Sequence, residues 1–374
     1  MRVCLSPGGP SLYRSDEPAN DVLVATMQGV IALVRPQPGL AWRIAGRALE
    51  KAWVDALLAE PGGAVLAGTF GDSIFASMDN GVTWEPRGRG IEFQEIYALN
   101  AALVNGRTRL YAGTQPAHLY TSDDGGAHWE EMVSLQAVPG IEKWWFPGEP
   151  HLAHVKGIAF DPRTPTTIYA GVEVGGLFKS TDGGQHWREL VGFDEQWNGD
   201  FHRLAIRPGR PEELFMSSGP GLWHSADGGE HWEHLSDRSM RIGYPDGIIA
   251  HPDREDLLFV AGARTPPSWL TTLTADAAIG RSRDAGRSWE ILEHGLPAEI
   301  RGNFEAMSMN IWPGGSGLFV AGIDGDVFYS DDEGESWAII AHGMPPISKG
   351  VVGRRRPGDP GEGEPGWMQR SVRV

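Results

Sequence analysis

Short runs in which apolar and polar residues alternate recur along this chain, rich in Val, Ile, Tyr and Phe and separated by Gly, Pro, Asp and Ser. Period-two alternation between turn residues predicts β-strands, and apolar positions almost never return at helical spacing. The runs follow a cycle. A first strand such as 157–162 (GIAFDP) is followed by a second, 167–171 (TIYAG), then by a third that ends on a serine, 176–180 (GLFKS), then by a turn and a fourth. First strands of the same kind lie at 55–61, 95–99, 203–208, 247–252 and 305–309.

The turn after the third strand is an octet, 180–187 (STDGGQHW), whose Ser-x-Asp-x-Gly-x-x-Trp frame reads again at 77–84, 122–129, 225–232, 282–289 and 330–337. Self-similarity at intervals of 45 to 58 residues is the mark of a blade-by-blade β-propeller. Within the octet the Asp carboxylate is placed to accept from turn N–H groups, the fifth-position Gly to take a positive φ, and the Trp to fasten the turn to its sheet. His128, His186 and His231 hold the seventh place and read as turn residues.

Residues 1–50 read as a first blade without the octet, with strands at 2–6, 21–26, 29–34 and 42–44; Trp42 stands 42 positions before Trp84. The count is then seven. The expected fold is all-β, a single seven-bladed β-propeller of four-stranded antiparallel blades over residues 1–350, followed by a Pro/Gly/charge-rich tail at 351–374. Either 2–6 or the stretch Lys349-Gly350-Val351-Val352 closes the ring, and the sequence leaves that open.

The octet resembles the Asp-box (BNR) repeat of sialidases, sortilin-type receptors, xyloglucanases and photosystem II assembly-factor propellers, over roughly residues 20 to 340. The resemblance implies a propeller whose boxes are structural and peripheral, away from any ligand site. It does not imply one activity, since propellers host many.

Composition narrows the classes. Gly 51, Pro 27 and Trp 15 suit many tight turns with one Trp per blade, and a formal charge of −17 disfavours nucleic acid and anionic membranes as partners. The only cysteine is Cys4, so no intramolecular disulfide forms. The first residues lack the apolar core of a signal peptide, and the longest apolar run, 22–34, is too short to span a bilayer; a cytoplasmic protein is expected. Phosphate loops, His-Glu-x-x-His, Cys-x-x-Cys and Gly-x-Ser-x-Gly elbows are absent from the sequence.

Propeller topology puts the starts of the first strands and the inter-blade loops at one rim, here called upper, and the octets at the other. Aligning first strands places Asp55, Glu95, Lys156, His202, Asp246 and Glu305 at the upper mouth of the channel, with Arg203 and Asn303 beside them. Converging carboxylates with a Lys and a His either perturb one another's protonation or recruit a cation; the bland alternative is ordinary polarity of a wet channel. Three departures from minimal repeat length fall on the same rim: 133–154 with Trp144, Trp145, Phe146, Glu149, His151 and His154; 191–201 with Asp194, Trp197, Asn198 and Asp200; and 263–279 with Arg264 and Trp269. His151 and His154 read as two metal ligands or as an ordinary loop pair. Trp144 and Trp145 read as a stacking platform or as anchors of the insertion.

Three functions follow. The first is a hydrolase or lyase on a small polar or anionic molecule: His202, Asp246, Glu305, Glu95 and Asp55 do acid–base work, and Lys156, Arg203, Arg241, Arg301, Tyr244, Trp144 and Trp145 hold substrate. One divalent cation is expected on His202, Glu305, Asp246, His151 and His154. The second is a sialidase- or xyloglucanase-like glycosidase with two carboxylates from Asp55, Asp246 and Glu305. Arg203, Arg241, Arg264 and Arg301 with Tyr244 and Glu305 resemble the sialidase set, but no Arg-Ile-Pro motif stands near the N-terminus and sialidases have six blades. The arginines are then an anion-binding group. The third is a non-catalytic propeller that binds a protein on its upper face.

Overall fold

In the computed structural model, residues 2–60, 62–147, 150–192, 199–236, 239–264 and 274–348 are described. They form seven sheets arranged as blades of a ring, with no α-helix among them and two 3-10 turns, Val133–Ala137 and Ile141–Lys143. The inner strands of blades 2 to 7 are Val54–Ala59, Glu95–Val104, His154–Phe160, Phe201–Arg207, Tyr244–Ala250 and Phe304–Trp312, and each packs on those of its neighbours. The fold is a seven-bladed β-propeller, as the alternation and the repeat predict. No described helix is long and apolar enough to cross a membrane.

There is no single central core. Each blade buries both of its faces against neighbours, so strands such as Val54–Ala59, Ile168–Glu173 and Leu258–Ala263 are buried at every position rather than at every second one. The buried apolar residues accordingly gather in separate clusters along the seams between blades.

All six octet turns share one hydrogen-bond pattern. The Ser hydroxyl donates to Asp Oδ1 at 2.7–2.8 Å. That oxygen also accepts the seventh residue's backbone N–H at 2.8–3.0 Å. The fifth-position glycines lie at φ 82° to 96° and donate to the Ser oxygen. This backbone conformation favours glycine. The indoles of Trp84, Trp129 and Trp232 donate to that glycine's carbonyl at 3.1 Å, and Trp129 is almost fully buried.

Blades 1 and 7 depart from four antiparallel strands. Val3–Leu5 takes the inner place of blade 1, in parallel register with Asp21–Thr26, whereas in blades 2 to 7 the strands from Val54–Ala59 to Phe304–Trp312 are antiparallel to the second strand of their blade. The chain then crosses the channel through Pro7-Gly8-Gly9-Pro10 and returns as Leu12–Arg14, a fifth strand on blade 7, also parallel, that the sequence reading did not anticipate. Ring closure is therefore made by the N-terminal strand. Residues 342–348 instead cover blade 1, with Met344 and Ile347 buried and Met27 donating to the Pro346 carbonyl at 2.8 Å. The stretch 349–352 and the tail 351–374 lie outside the described residues. Blade 1 lacks an octet and is fastened instead by Trp42, whose ring meets Phe319 and Tyr329 of blade 7 at 5.8 and 5.7 Å with the buried Arg35 guanidinium 4.9 Å above it.

Candidate functional site

The N-terminal loop divides the channel. Its tip is backbone-bonded to the inner strands: Gly8 donates to the Asp55 carbonyl and accepts from Leu99, both at 2.9 Å. A Cβ on Gly8 would stand 1.8 Å from the Tyr97 carbonyl oxygen, so only glycine passes there. Below the tip lies an apolar cavity of about 390 Å³, walled by the loop and by inner-strand residues of blades 3 to 5 such as Leu103, Ile158, Phe160 and Ile206. Above it lies a polar pocket of about 10 Å³ walled by Asp55, Tyr97, Lys156, Arg203, Asp246 and Glu305, with Pro7 and Ser348. Two of its walls, Pro7 and Ser348, thus come from residues far apart in the described chain.

Five of the residues expected at the mouth, Asp55, Lys156, Arg203, Asp246 and Glu305, meet in that pocket. The Asn303 amide nitrogen donates both to Asp246 Oδ2 and to Glu305 Oε1, the latter at 3.3 Å. The Lys156 ammonium stands 3.4 Å from Asp246 Oδ1 and 3.2 Å from Glu173 Oε2. Arg203 donates to the Pro7 carbonyl, tying the plug to blade 5. Burial lowers its guanidinium against the opposing pull of Asp246, Asp55 and Glu305. Burial, then the Asp55 charge, pushes the Tyr97 phenol well above its ordinary value. Glu95 lies at the rim, bridged through its backbone to Phe70.

His202 is fully buried beside the pocket. Its Nδ1 is 2.6 Å from the Pro245 carbonyl and 3.9 Å from Asp246 Oδ1; its Nε2 is 3.4 Å from Asp200 Oδ1. Burial and Lys156 oppose its protonation, but Asp200 and Asp246 outweigh them and raise its pKa; burial likewise opposes ionisation of Asp200, and His202 overrides it. Tyr244 packs edge-on against the His202 ring at 4.8 Å, and burial, then Asp200, raises its phenol strongly.

The remaining candidates are not brought to the pocket. Arg241 and Arg264 both pair with Asp276, at 3.1 and 2.6 Å, and Arg301 is exposed beside Glu299 at 3.5 Å. The four arginines therefore do not form one anion-binding group, because a single aspartate absorbs two of them. His151 and His154 separate as well. His151 stacks on Trp145 at 5.2 Å, while His154 is buried with Nε2 2.6 Å from Glu173 Oε2 and its ring stacked on Tyr97 at 3.7 Å. Trp144 packs on Phe178 at 5.2 Å and anchors the insertion; Trp145 is 39% exposed. Glu149, Asp194, Trp197, Asn198 and Trp269 lie outside the described residues.

Sequence reasoning missed Glu173. It ends the second strand of blade 4, and with Asp200 and His202 it places one ligand atom each within 4.8 Å of the others. Its place after a buried run (IYAGVE) marks a carboxylate at the upper end of an apolar strand, a signal available in the sequence. Among the expected metal ligands, His202 alone belongs to this set.

No protein-family model matches the chain. Over 114 residues it is 31% identical to the oligoxyloglucan-reducing end-specific xyloglucanase of Emericella nidulans, a stretch that is 30% of this chain and 12% of that enzyme. Over 160 residues it is 29% identical to a probable enzyme of the same description from Neosartorya fischeri, covering 40% of this chain and 17% of that one. The match thus spans less than a fifth of these relatives. Among solved structures, an ancestral GH74 enzyme superposes on 77% of this chain and 38% of its own with a TM-score of 0.60 at 17% identity. YCF48 from Cyanidioschyzon merolae superposes on 87% of this chain and 94% of its own with a TM-score of 0.58 at 14% identity. At these identities the structural likeness is one of fold.

Proposed function

We propose that this chain is a carbohydrate-active propeller, a glycoside hydrolase in which Asp246 and Glu305 are the acid and the nucleophile or base, and in which substrate approaches across the upper face. The observation that carries the reading is the Asn303 amide nitrogen that bonds both carboxylates. Two oxygens that share one donor lie no more than about 6 Å apart, which brings the two carboxyl groups into the range of a catalytic pair. The local identity to two xyloglucanases favours a glycoside over the broader class of small polar substrates. Lys156 and Arg203 supply charge around the pair, and the exposed Trp145 with His151 offers a ring surface for a sugar.

The pocket of about 10 Å³ is the size of one water, so a glycosyl unit enters only if Pro7 or Ser348 withdraws. The test is hydrolysis of xyloglucan oligosaccharides and aryl glycosides by the full chain, with the product anomer followed by NMR. Turnover that falls about 10²–10⁴-fold in Asp246→Asn and Glu305→Gln is expected. No turnover on the panel at high enzyme concentration, or turnover unchanged in both variants, ends the reading.

One observation favours a second reading, a non-catalytic propeller that binds a protein on its upper face. The 133–154 insertion exposes Leu152 and Trp145 at 41% and 39%, apolar side chains just before the inner strand that opens at His154. Tight peptide or protein binding lost on Trp145→Ala, without glycoside turnover, would carry it.

A further inference from the structure

The upper end of blades 4 and 5 holds a second constellation next to the pocket. Asp200 and Glu173 are brought together by an isolated β-bridge between their backbones. Gly219 makes room for the carboxylate, since a Cβ there would stand 2.0 Å from Asp200 Oδ2. Glu173 is buried, its Oε2 held by His154 and Lys156; Asp200 is 21% exposed at its side chain and gives the group its opening to solvent.

The orientation of His202 is the deciding feature. A carbonyl oxygen only accepts, so Nδ1 at 2.6 Å from Pro245 carries a hydrogen. Nε2 then faces Asp200 Oδ1 at 3.4 Å, a carboxylate that only accepts: a protonated ring pairs with it, and a ring without that proton turns its lone pair toward the carboxylates, where a cation takes the proton's place. Nε2 is fully buried and makes no hydrogen bond. A backbone carbonyl that fixes the imidazole so that its other nitrogen faces carboxylates is the arrangement of a metal-ligating histidine.

We propose that Glu173, Asp200 and His202 bind one first-row divalent cation, Zn²⁺ or Mn²⁺, beside the channel mouth. One imidazole and two carboxylates suit a borderline ion better than Ca²⁺, which takes six or more oxygens. The Lys156 ammonium, 3.2 Å from Glu173 Oε2, is the built-in competitor: it holds the same carboxylate and repels the ion. The site adjoins the Asp246–Glu305 pair, with His202 Nδ1 3.9 Å from Asp246 Oδ1 and Lys156 reaching both groups, but its binding is read without turnover, so its failure and that of the glycosidase reading are distinguishable.

The experiment is equilibrium dialysis of the untagged full chain against Zn²⁺ and, separately, Mn²⁺, with elemental analysis and circular dichroism of each sample. Wild type is expected to retain one equivalent of one of the two ions. Asp200→Asn, at the partly open position, is expected to lower affinity about tenfold to a hundredfold while the fold persists. Lys156→Gln is expected to raise it by about tenfold or more, since a like charge leaves the vicinity of the ion. No binding in wild type and in Lys156→Gln overturns the proposal. So does binding that survives Asp200→Asn and His202→Gln but is lost in His186→Ala and His231→Ala, which would place the ion on the exposed His–Asp pairs of the octet turns.

Discussion

The two rims of the propeller use the same residue type in opposite ways. At the octet rim six aspartates sit in six copies of one geometry, each satisfied by its own turn within about four residues of sequence. At the upper rim Asp55, Asp246 and Glu305 hold equivalent blade positions, yet what surrounds them comes from far along the chain: Asp246 meets Lys156, 90 residues before it, and Asn303, 57 after it. Local satisfaction makes the octet carboxylates cheap to keep and chemically inert. Convergence of different residues from several blades is what makes the upper rim a candidate site.

The contrast can be broken from either side. The largest effect is expected at the upper rim: Asp246→Asn and Glu305→Gln lose about 10²–10⁴ in glycoside turnover while the denaturant midpoint stays near that of wild type, measured on the same preparations. Next is the reverse case at the octet rim. Trp129→Ala removes a buried indole and is expected to cost about 3–5 kcal/mol by urea unfolding, with turnover per folded molecule unchanged. A loss of turnover there would tie the rims together.

Gly8→Ala probes the plug between them. The added methyl meets the Tyr97 carbonyl, and a destabilisation of about 1–3 kcal/mol is expected, together with a change in turnover because the tip floors the pocket.

The smallest effect is the pH response of the octets. Hydrogen bonds from the Thr83 hydroxyl and N–H hold Asp79 at about 2 against an ordinary 3.8, and Ser288 does the same for Asp284. A depressed carboxylate contributes stability that is complete above the unfolded value and is lost as pH falls toward the folded one. Wild type should therefore weaken between pH 4 and 2, and Asp79→Asn should flatten that slope slightly. An unchanged slope would mean that these exposed turns contribute nothing measurable.

Much of the fold was legible because its determinants are local. The alternation located the strands, the octets counted six blades, and Trp42 at the repeat interval supplied the seventh. The same alignment brought Asp55, Lys156, Arg203, Asp246 and Glu305 to one pocket, since equivalent positions of a ring face one axis. The arginine set failed for the opposite reason: sharing a rim does not make side chains meet, and Asp276 had already claimed Arg241 and Arg264. Glu173 was passed over because it ends a second strand rather than starting a first one.

By itself the sequence determined an all-β ring of repeated blades, the geometry of its turns and the upper-rim positions that face the channel. These depend on alternation, on glycine at positive φ and on carboxylates bonded within their own turn, all interactions of short range along the chain. Only the tertiary structure decided that residues 2–15 add a parallel strand to each of blades 1 and 7 with a loop across the channel between them, that Asn303 joins Asp246 to Glu305, and that His202 turns its buried nitrogen toward Asp200 and Glu173. Apart from Asn303–Glu305 and His202–Asp200, which are near in sequence, those contacts join residues tens to hundreds of positions apart, and they form only when the ring has closed.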